Sequence, residues 1–518
     1  MIYDVKADKE IYETILSFFK AGDSLEDAKK KAGRQFNLTT TPRTYHILLY
    51  AKEKYPGLAQ EITAKNKLHQ VRSLSGVVSV AVLTKNYPCP YKCAYCPKEK
   101  NIPQSYLKTE PAVARAKLVD FDPYKQVKGR LEVLELSGHE ISKIELIILG
   151  GTFSAIPNSY RIWFVKRCFD AANSKTSKNL SDAQKLNEKS KNRIIGITIE
   201  TRPDLIDEGE IKFLRRLGVT RVELGAQNYF DFILNKNNRG TNRAQLAKAT
   251  KMLKNNAFKI TYHLMLNLPG SNPLLDFWSA RLFFIDSRFR PDQLKIYPLV
   301  VVRGSEVYKW YKAAKFSPYS QSTLIRLLAD IKAYIPKYVR IIRVIRDIPS
   351  DYIEAGNKKS NLRQNVQAFM KEHNMKCKCI RCQEIKNGTI KNPVFKIKKY
   401  RSSGGREMFI SIEGKDSHKV IGFLRLFLPK NSRPFFKSLK NAALIREIHT
   451  YGEAVGIDKN NFLKAQHHGY GSWLINEAQI IVKNGGYKKI AVIAGVGVRN
   501  YFRKQGYELK ETYMVKNI

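Results

Sequence analysis

Cys89-Pro90-Tyr91-Lys92-Cys93-Ala94-Tyr95-Cys96-Pro97 is the stretch from which the rest of the chain can be read. Three thiolates in a Cys-x3-Cys-x2-Cys run can hold three irons of a [4Fe–4S] cluster and leave the fourth iron open to S-adenosylmethionine (SAM). Tyr95 stands where an aromatic ring would pack near the adenine. Three cysteines make neither a four-ligand zinc site nor a closed disulfide pair, and the chain has only seven cysteines in 518 residues.

Outward from this loop, apolar strand-like runs at 77–83, 144–149, 194–199, 220–224, 259–265 and 293–297 alternate with helical patterns. Such alternation predicts an α/β fold, a partial TIM-like (β/α)6 barrel whose chemistry sits beyond the C-terminal strand ends. Each run ends in polar or glycine-bearing residues, among them Gly150-Gly151-Thr152, Glu200-Thr201-Arg202 and Gly225-Ala226-Gln227. Gly150 and Gly151 allow close backbone approach to the amino acid end of SAM. Glu200, Arg202 and Gln227 are further candidates to bind it, Arg202 because a guanidinium matches a carboxylate in a bidentate fork. Mutual pairing of Glu200 and Arg202 at the rim is the alternative.

From about residue 394 the pattern changes to β-rich segments at 408–412, 419–427 and 443–451, then Gln466-His-His-Gly469-Tyr470-Gly471 opening an apolar helical pattern. A glycine loop at a helix start places free N–H groups and the positive dipole end at one spot, which suits a pyrophosphate. Gln-x-x-Gly-x-Gly between strand and helix is the acetyl-CoA loop pattern of N-acetyltransferase-like (GNAT) folds. A strand at 488–493 and a helix from Arg499 follow, and Tyr501 in that helix is the candidate proton donor to a leaving thiolate. His467 and His468 read as positioning groups.

Between the two parts, Cys377-Lys-Cys379-Ile-Arg-Cys382 is too crowded for ordinary disulfides and reads as a structural zinc site, with His373 convenient as a fourth ligand. Cys168, alone in a helical pattern, reads as a buried apolar residue. The segment 173–192, rich in Ser, Lys and Asn, reads as a solvated insertion. Amphipathic patterns at 11–19 and 25–36 suggest a small helical module. The expected organisation is a basic, RNA-contacting helical module at 1–70, a barrel at 71–345, a cysteine-rich linker at 346–393 and a GNAT-like domain at 394–518.

The formal net charge of +45 predicts attraction to a polyanion. Lys52, Lys54, Lys65, Lys67 and Arg72 precede the barrel; Lys312, Lys315, Arg340, Arg343 and Arg346 follow it, with Tyr334 and Tyr338 nearby as base-stacking candidates. The sequence contains neither an apolar run of membrane-spanning length nor an evident signal peptide. An oxygen-sensitive cluster and free thiols point to the reducing cytoplasm.

The chain resembles the Elongator catalytic subunit family of radical SAM and acetyltransferase tRNA-modifying enzymes. The matching stretches run from Ser75-Gly-Val77 and Cys89 to Pro97, through Leu149-Gly-Gly-Thr-Phe153, Thr198-Ile-Glu-Thr-Arg-Pro-Asp204, Arg221-Val-Glu-Leu-Gly225 and Leu294-Lys-Ile-Tyr-Pro298, to Lys358-Lys-Ser-Asn-Leu-Arg363, Arg446-Glu-Ile-His449, Gln466 to Gly471 and Tyr513-Met-Val-Lys516. The resemblance implies that SAM is cleaved to a deoxyadenosyl radical, which takes hydrogen from the methyl of acetyl-CoA. The carbon radical adds to C5 of the wobble uridine in a tRNA anticodon arm, and hydrolysis leaves 5-carboxymethyluridine.

It further implies that Lys143 faces acetyl-CoA in the barrel. Glu447, Ile448, His449 and Thr450, with Gln466, Gly469, Tyr470, Gly471 and Ser472, would contact it in the second domain, and Tyr501 and Phe502 occupy the place of a tyrosine pair. An external electron donor is implied, and a homodimer or accessory Elongator-type subunits are left open. The chain departs from many members in its shorter first cysteine spacing, in Pro97-Lys98 where they have Pro-Gly-Gly, and in Phe502, which cannot donate a proton. A protein lysine acetyltransferase with a structural cluster, and a tRNA-binding scaffold, are the rival readings.

Overall fold

The computed structural model describes residues 9–38, 41–42, 44–65, 75–386, 392–430, 433–451 and 469–518. Strands β1 (Val77–Leu83), β2 (Lys143–Leu149), β3 (Arg193–Thr201), β4 (Arg221–Gln227), β5 (Lys259–Leu266), β6 (Gln293–Pro298) and β7 (Arg340–Arg343) form one sheet in that order, every neighbouring pair parallel. All six expected strands are present. The seventh, Arg-Ile-Ile-Arg, is too short and too charged at its ends to register as a strand pattern.

Why the sheet forms an open half-barrel can be read from its alternation. In β2, Ile144, Leu146 and Ile148 are buried, whereas Lys143, Glu145 and Ile147 on the opposite face are only partly so. The same period of two places Arg221 and Glu223 on β4, Lys259, Thr261 and His263 on β5, and Gln293 and Lys295 on β6 on one face. The apolar face packs under the helices; the polar face lines a lumen. A closed barrel filled by branched apolar side chains has no place for these charges.

A second sheet, in the spatial order β13-β14-β12-β11-β10-β9-β8, is built from β8 (Pro393–Ser402), β9 (Gly405–Gly414), β10 (Val420–Pro429), β11 (Ala442–Thr450), β12 (Lys489–Val492), β13 (Glu508–Lys510) and β14 (Tyr513–Asn517). Among the described strands of this sheet only β11 and β12 pair in parallel, and the helix Tyr470–Asn484 between them packs Leu474, Ile475, Ala478 and Val482 into that domain's core. The N-terminal helices Lys9–Lys20, Leu25–Gln35, Thr44–Lys54 and Pro56–Lys65 enclose a separate core around Ile15, Ala28, Ile47 and Ile62.

The two sheets meet over a buried ionic network. Asp292 accepts from Arg446 Nη2 at 2.5 Å and Nη1 at 2.9 Å, Arg446 Nε donates to Glu407 at 3.0 Å, and Arg425 Nε donates to Glu447 at 2.8 Å. The side chains of Asp292, Arg425, Arg446, Glu407 and Lys254 are fully buried. Burial pushes the Asp292 carboxyl up, but Arg446 and Arg425 more than offset this and hold it below the ordinary carboxylate value. At another point of the seam Gly495 lets two backbones touch: a Cβ there would fall 1.9 Å from the carbonyl oxygen of Ile195.

The segment 173–192 lies between barrel elements and is solvated along one side, but it is ordered and anchored on the other. It carries the helix Leu180–Asn187, and Asn187 is fully buried, bonding Asn173 Oδ1 and the Asn192 carbonyl. Glu188 receives Arg499 Nη1 at 3.0 Å and Arg503 Nη1 at 2.6 Å from the second domain. Composition misled only in part: the lysines are exposed as it suggests, whereas Asn187, Ser190 and Glu188 pair within the segment and across the seam. Cys168 is buried, as expected.

Asp292→Ala should cost about 3–5 kcal/mol of stability, because it strands two buried guanidinium groups. Denaturant unfolding followed by tryptophan fluorescence measures this, and a loss below 1 kcal/mol, the level of an exposed pair, would contradict the role given to the network.

Candidate active site

Past the C-terminal end of β1 the cysteine loop is pinned by its neighbours. Ala94 N–H donates to the Asn237 carbonyl at 3.0 Å, Val307 N–H donates to the Ala94 carbonyl at 3.1 Å, and Cys96 N–H turns back to Cys93 O at 3.1 Å. Two guanidinium groups approach one thiol: Arg202 Nη1 lies 3.8 Å and Arg239 Nη1 3.7 Å from Cys93 Sγ. Both guanidinium groups are placed to donate hydrogen bonds to a sulfur ligand at this position.

The geometry of the three sulfurs also discriminates. A single zinc with Zn–S near 2.3 Å would bring thiolates within about 3.8 Å of one another. Cys89, Cys93 and Cys96 do not all lie within 4.8 Å of one another, whereas Cys377, Cys379 and Cys382 do. The wider spacing suits ligation of separate irons. Around the loop, the hydroxyls of Thr84 and Tyr95 and Arg239 Nε are buried without a hydrogen-bond partner, polar capacity of the kind a bound cofactor would use.

Arg202 pairs with Asp204 at 3.0 Å and lies 3.3 Å above the Tyr91 ring, and Tyr91 donates to Asp204 at 2.6 Å. Glu200 instead accepts from Tyr106 at 2.6 Å and lies 3.6 Å from Lys295. The two do not pair with each other. Gly150 has φ +141° and a Cβ there would meet Thr84 Oγ1 at 2.2 Å, so at this residue glycine serves both the backbone turn and the packing beneath it. Gln227 ends β4 with φ 62°, after a register shift from Leu224. Tyr95 packs against the apolar group that contains Ala94, Ile233 and Val307.

Within the lumen, below the cysteine loop, Glu223 accepts from His263 Nε2 at 2.7 Å and from Lys295. Burial pushes the Glu223 carboxyl up, but Lys295 and His263 outweigh it and hold the group ionised. At the lower rim Lys259 donates to Glu447 at 2.7 Å and Arg221 pairs with Glu145 at 2.7 Å. Glu145 feels the charges of Lys259, His449 and Glu447. Lys143 lies two residues earlier on the same strand face, and burial lowers its ammonium pKa. Lys259 and Glu145 of the barrel and the Glu447–Thr450 strand end, far apart in sequence, thus meet at the seam.

In the second domain, Gly469 precedes the helix Tyr470–Asn484 with φ 69°, and a Cβ on Gly471 would come within 2.8 Å of the Tyr501 hydroxyl. Tyr501 is therefore at the helix N-terminus, 39% exposed, with burial raising its pKa. Ser472 stands beside it and accepts from Gln505 at 3.2 Å. Gln466, His467 and His468 lie outside the described residues.

Several expectations change. Phe502 is a core residue, 2% exposed and packed on Tyr507, so it faces no ligand and instead seats the helix that carries Tyr501. Tyr470 is also buried, and Ile448 is packed against the same core. The Glu447 side chain is occupied by Lys259 and Arg425, leaving only its backbone for a ligand. Tyr338 is buried and stacked on Tyr400 at 4.0 Å, so it cannot stack a base, whereas Tyr334 is 58% exposed. Arg340 is held by Tyr451 at 2.8 Å and by Glu384, and Arg346 by Glu110 at 2.7 Å, while Lys52, Lys65, Lys312 and Lys315 are exposed. Lys67 and Arg72 lie outside the described residues. His373 bonds its own helix at Phe369 O and stacks on Phe369 rather than joining the three cysteines.

Sequence reasoning missed Arg239, Tyr106, Glu223, His263 and Lys295. For Glu223, His263 and Lys295 the signal was present, as polar residues at every second position inside otherwise apolar strands, whereas Arg239 and Tyr106 lie in loops that carry no such pattern.

This cysteine loop on a parallel half-barrel defines a radical SAM enzyme, with a [4Fe–4S] cluster and SAM as its cofactors. Residues 87–274 match the Radical SAM superfamily and 291–372 the Radical_SAM C-terminal domain. The chain is 40% identical over 531 residues to a tRNA uridine(34) acetyltransferase of Methanocaldococcus infernus, covering 98% of each chain. It is 35% identical to human Elongator complex protein 3, covering 95% of this chain and 93% of that one. The solved structure of the archaeal Methanocaldococcus infernus Elp3 lacking residues 1–46 superposes with a TM-score of 0.76 at 38% identity, over 86% of this chain and 100% of that one. The chain belongs to the Elongator catalytic subunit family.

Burial, with Arg340 adding, lowers His449 from an ordinary 6.5 to about 4. Between those values the unfolded chain binds a proton that the folded one refuses, so stability falls as pH drops through this window. His449→Asn should lessen the fall, measured as the denaturation midpoint at either end of the window; an unchanged fall would place its cause elsewhere.

Proposed function

We propose that this protein modifies uridine 34, the wobble base of the tRNA anticodon arm, converting it to 5-carboxymethyluridine with the acetyl group of acetyl-CoA. The observation that carries the reading is the meeting of two sites at one seam: a cysteine loop built for a cluster above a polar lumen, and the Glu447–Thr450 strand end of an acetyltransferase-like fold at its floor. Relatives named tRNA uridine(34) acetyltransferases along nearly the whole chain support the tRNA substrate.

When bound and reduced, the cluster supplies the electron that cleaves SAM to a deoxyadenosyl radical. Cys89, Cys93 and Cys96 would hold it, with Arg202 and Arg239 donating hydrogen bonds to the Cys93 sulfur. Gly150, Gly151, Glu200, Gln227 and Tyr95 would surround SAM. Backbone donors from Gly469 to Ser472, at the positive end of their helix, would bind the CoA pyrophosphate, and the Tyr501 hydroxyl would protonate the departing thiolate. Lys143 and His449 would flank the acyl arm where it enters the lumen. Exposed lysines and the charge of +45 suit a polyanionic partner. The free cysteines and the cluster fit a reducing cytoplasm with an external electron donor. No helix among the described residues is long and apolar enough to cross a membrane.

Cys377, Cys379 and Cys382 are proposed to bind zinc as a structural staple. Hydrogen bonds from the Cys377 and Cys382 thiols hold Cys379 well below the ordinary thiol value. The segment ties both sheets: Ile380 N–H donates to Val339 O at 2.9 Å and Ile385 N–H to Val420 O at 3.0 Å.

With anaerobically reconstituted protein, SAM, dithionite, tRNA and acetyl-labelled acetyl-CoA, labelled 5-carboxymethyluridine and free deoxyadenosine are expected, and Cys93→Ala should abolish both. Label on protein lysines without SAM would favour the protein acetyltransferase reading, and neither product from a loaded cluster would favour a scaffold. Cys379→Ala should lower bound zinc in metal analysis and leave the cluster's iron; unchanged zinc would remove that site.

A further inference from the structure

Beneath the cysteine loop, Glu200, Glu223 and His263 converge, each with a ligand atom within 4.8 Å of the others. This is not a cation site in waiting, because the Lys295 ammonium already contacts Glu223 and lies 3.6 Å from Glu200. What the cluster does fix is one imidazole. Glu223 is fully buried and held ionised chiefly by Lys295, and a carboxylate so held accepts the proton of His263 Nε2–H at 2.7 Å. In the neutral imidazole that arrangement places the lone pair on Nδ1. Nδ1 has no partner among the described residues, and the side chain keeps 15% exposure toward the lumen. Tyr297 packs edge-on against the ring at 5.6 Å.

The height of this imidazole is informative. Glu200, in the same layer, is two residues before Arg202, the residue that contacts Cys93, which at strand rise is about 7 Å. Lys259, which bonds Glu447 of the second domain, lies four residues before His263, about 13 Å down the same strand. An oriented base therefore stands between the radical end of the lumen and the acyl-CoA end.

We propose that His263, oriented by Glu223, is the general base that activates water to hydrolyse the thioester joining the modified uridine to CoA. The inference rests on the reaction proposed above and assigns its last step. Nδ1 takes a proton from water as the oxygen bonds to the thioester carbonyl carbon. The tetrahedral adduct then collapses with cleavage of the C–S bond. The thiolate leaves as CoA after protonation and the carboxymethyl carboxylate remains, so one water is consumed with no change of oxidation state. The geometry is that of an imidazole held in one tautomer by a buried carboxylate, with its other nitrogen free toward the substrate.

The test uses the full-length reconstituted enzyme with SAM, dithionite, tRNA and acetyl-CoA, reading deoxyadenosine and intact tRNA mass in the same reaction. In His263→Gln, deoxyadenosine release should persist while carboxymethyluridine falls by about 100-fold or more, the usual contribution of a general base. A tRNA species heavier by the CoA thioester should accumulate in its place. Added imidazole should restore carboxymethyluridine in His263→Ala. Carboxymethyluridine formed by His263→Gln at the wild-type rate would overturn the proposal. Loss of deoxyadenosine together with product, without imidazole rescue, would also overturn it, making His263 a support of the lumen. Wild-type protein that releases deoxyadenosine but leaves tRNA unmodified would instead defeat the underlying reaction, and this step with it.

Discussion

The ionic seam under the half-barrel is the constraint from which the rest of the architecture follows. Asp292 and Glu447 come from the two sides, Asp292 matched to Arg446 and Arg425 and Glu447 to Arg425 and Lys259, and all are largely withdrawn from water. Such charges are tolerated in a low-dielectric interior only when every partner is in place, so the seam admits one docking geometry. That geometry sets the floor of the lumen. It determines that Lys259 meets Glu447, that Glu145 senses His449, and that the open face of the barrel ends on another domain rather than in solvent.

With the floor fixed, the lumen becomes a graded environment. Its upper end holds arginines against a thiol, its middle a carboxylate bridged by an ammonium and an imidazole, its lower end a ring of alternating charges. Polar side chains held this way are preorganised: they need not reorient as charge develops on a reacting group, which is where much of the catalytic advantage of an enclosed site lies.

Much of this was legible in the sequence. Six strands, the cysteine loop, the glycine strand tips and the Gly469–Gly471 helix start lie where pattern and spacing put them, because each is a local property of a few consecutive residues. What escaped was non-local. The short β7 has four residues and gains its place only by pairing with β6. Arg340 and Arg346 look like surface charge until their partners Glu384 and Glu110 are known, and Tyr338 looks free until Tyr400 covers it. Segment 173–192 has a disordered composition yet is ordered by Glu188 and its arginine partners. Phe502 reads as half of an active pair, while helical geometry turns it inward beside an outward Tyr501.

The grip of Glu188 on Arg499 and Arg503 has a consequence for experiments on fragments. The short helix Arg499–Lys504, which carries Tyr501, is fastened to the barrel through these pairs, and the turn before it lies against the backbone of β3 through Gly495 and Gly497. An excised acetyltransferase-like half would lose its outer anchor for that tyrosine and would expose Arg425 and Arg446 without Asp292. The two halves form one structural unit, and an inert isolated half would report a missing abutment rather than a missing activity.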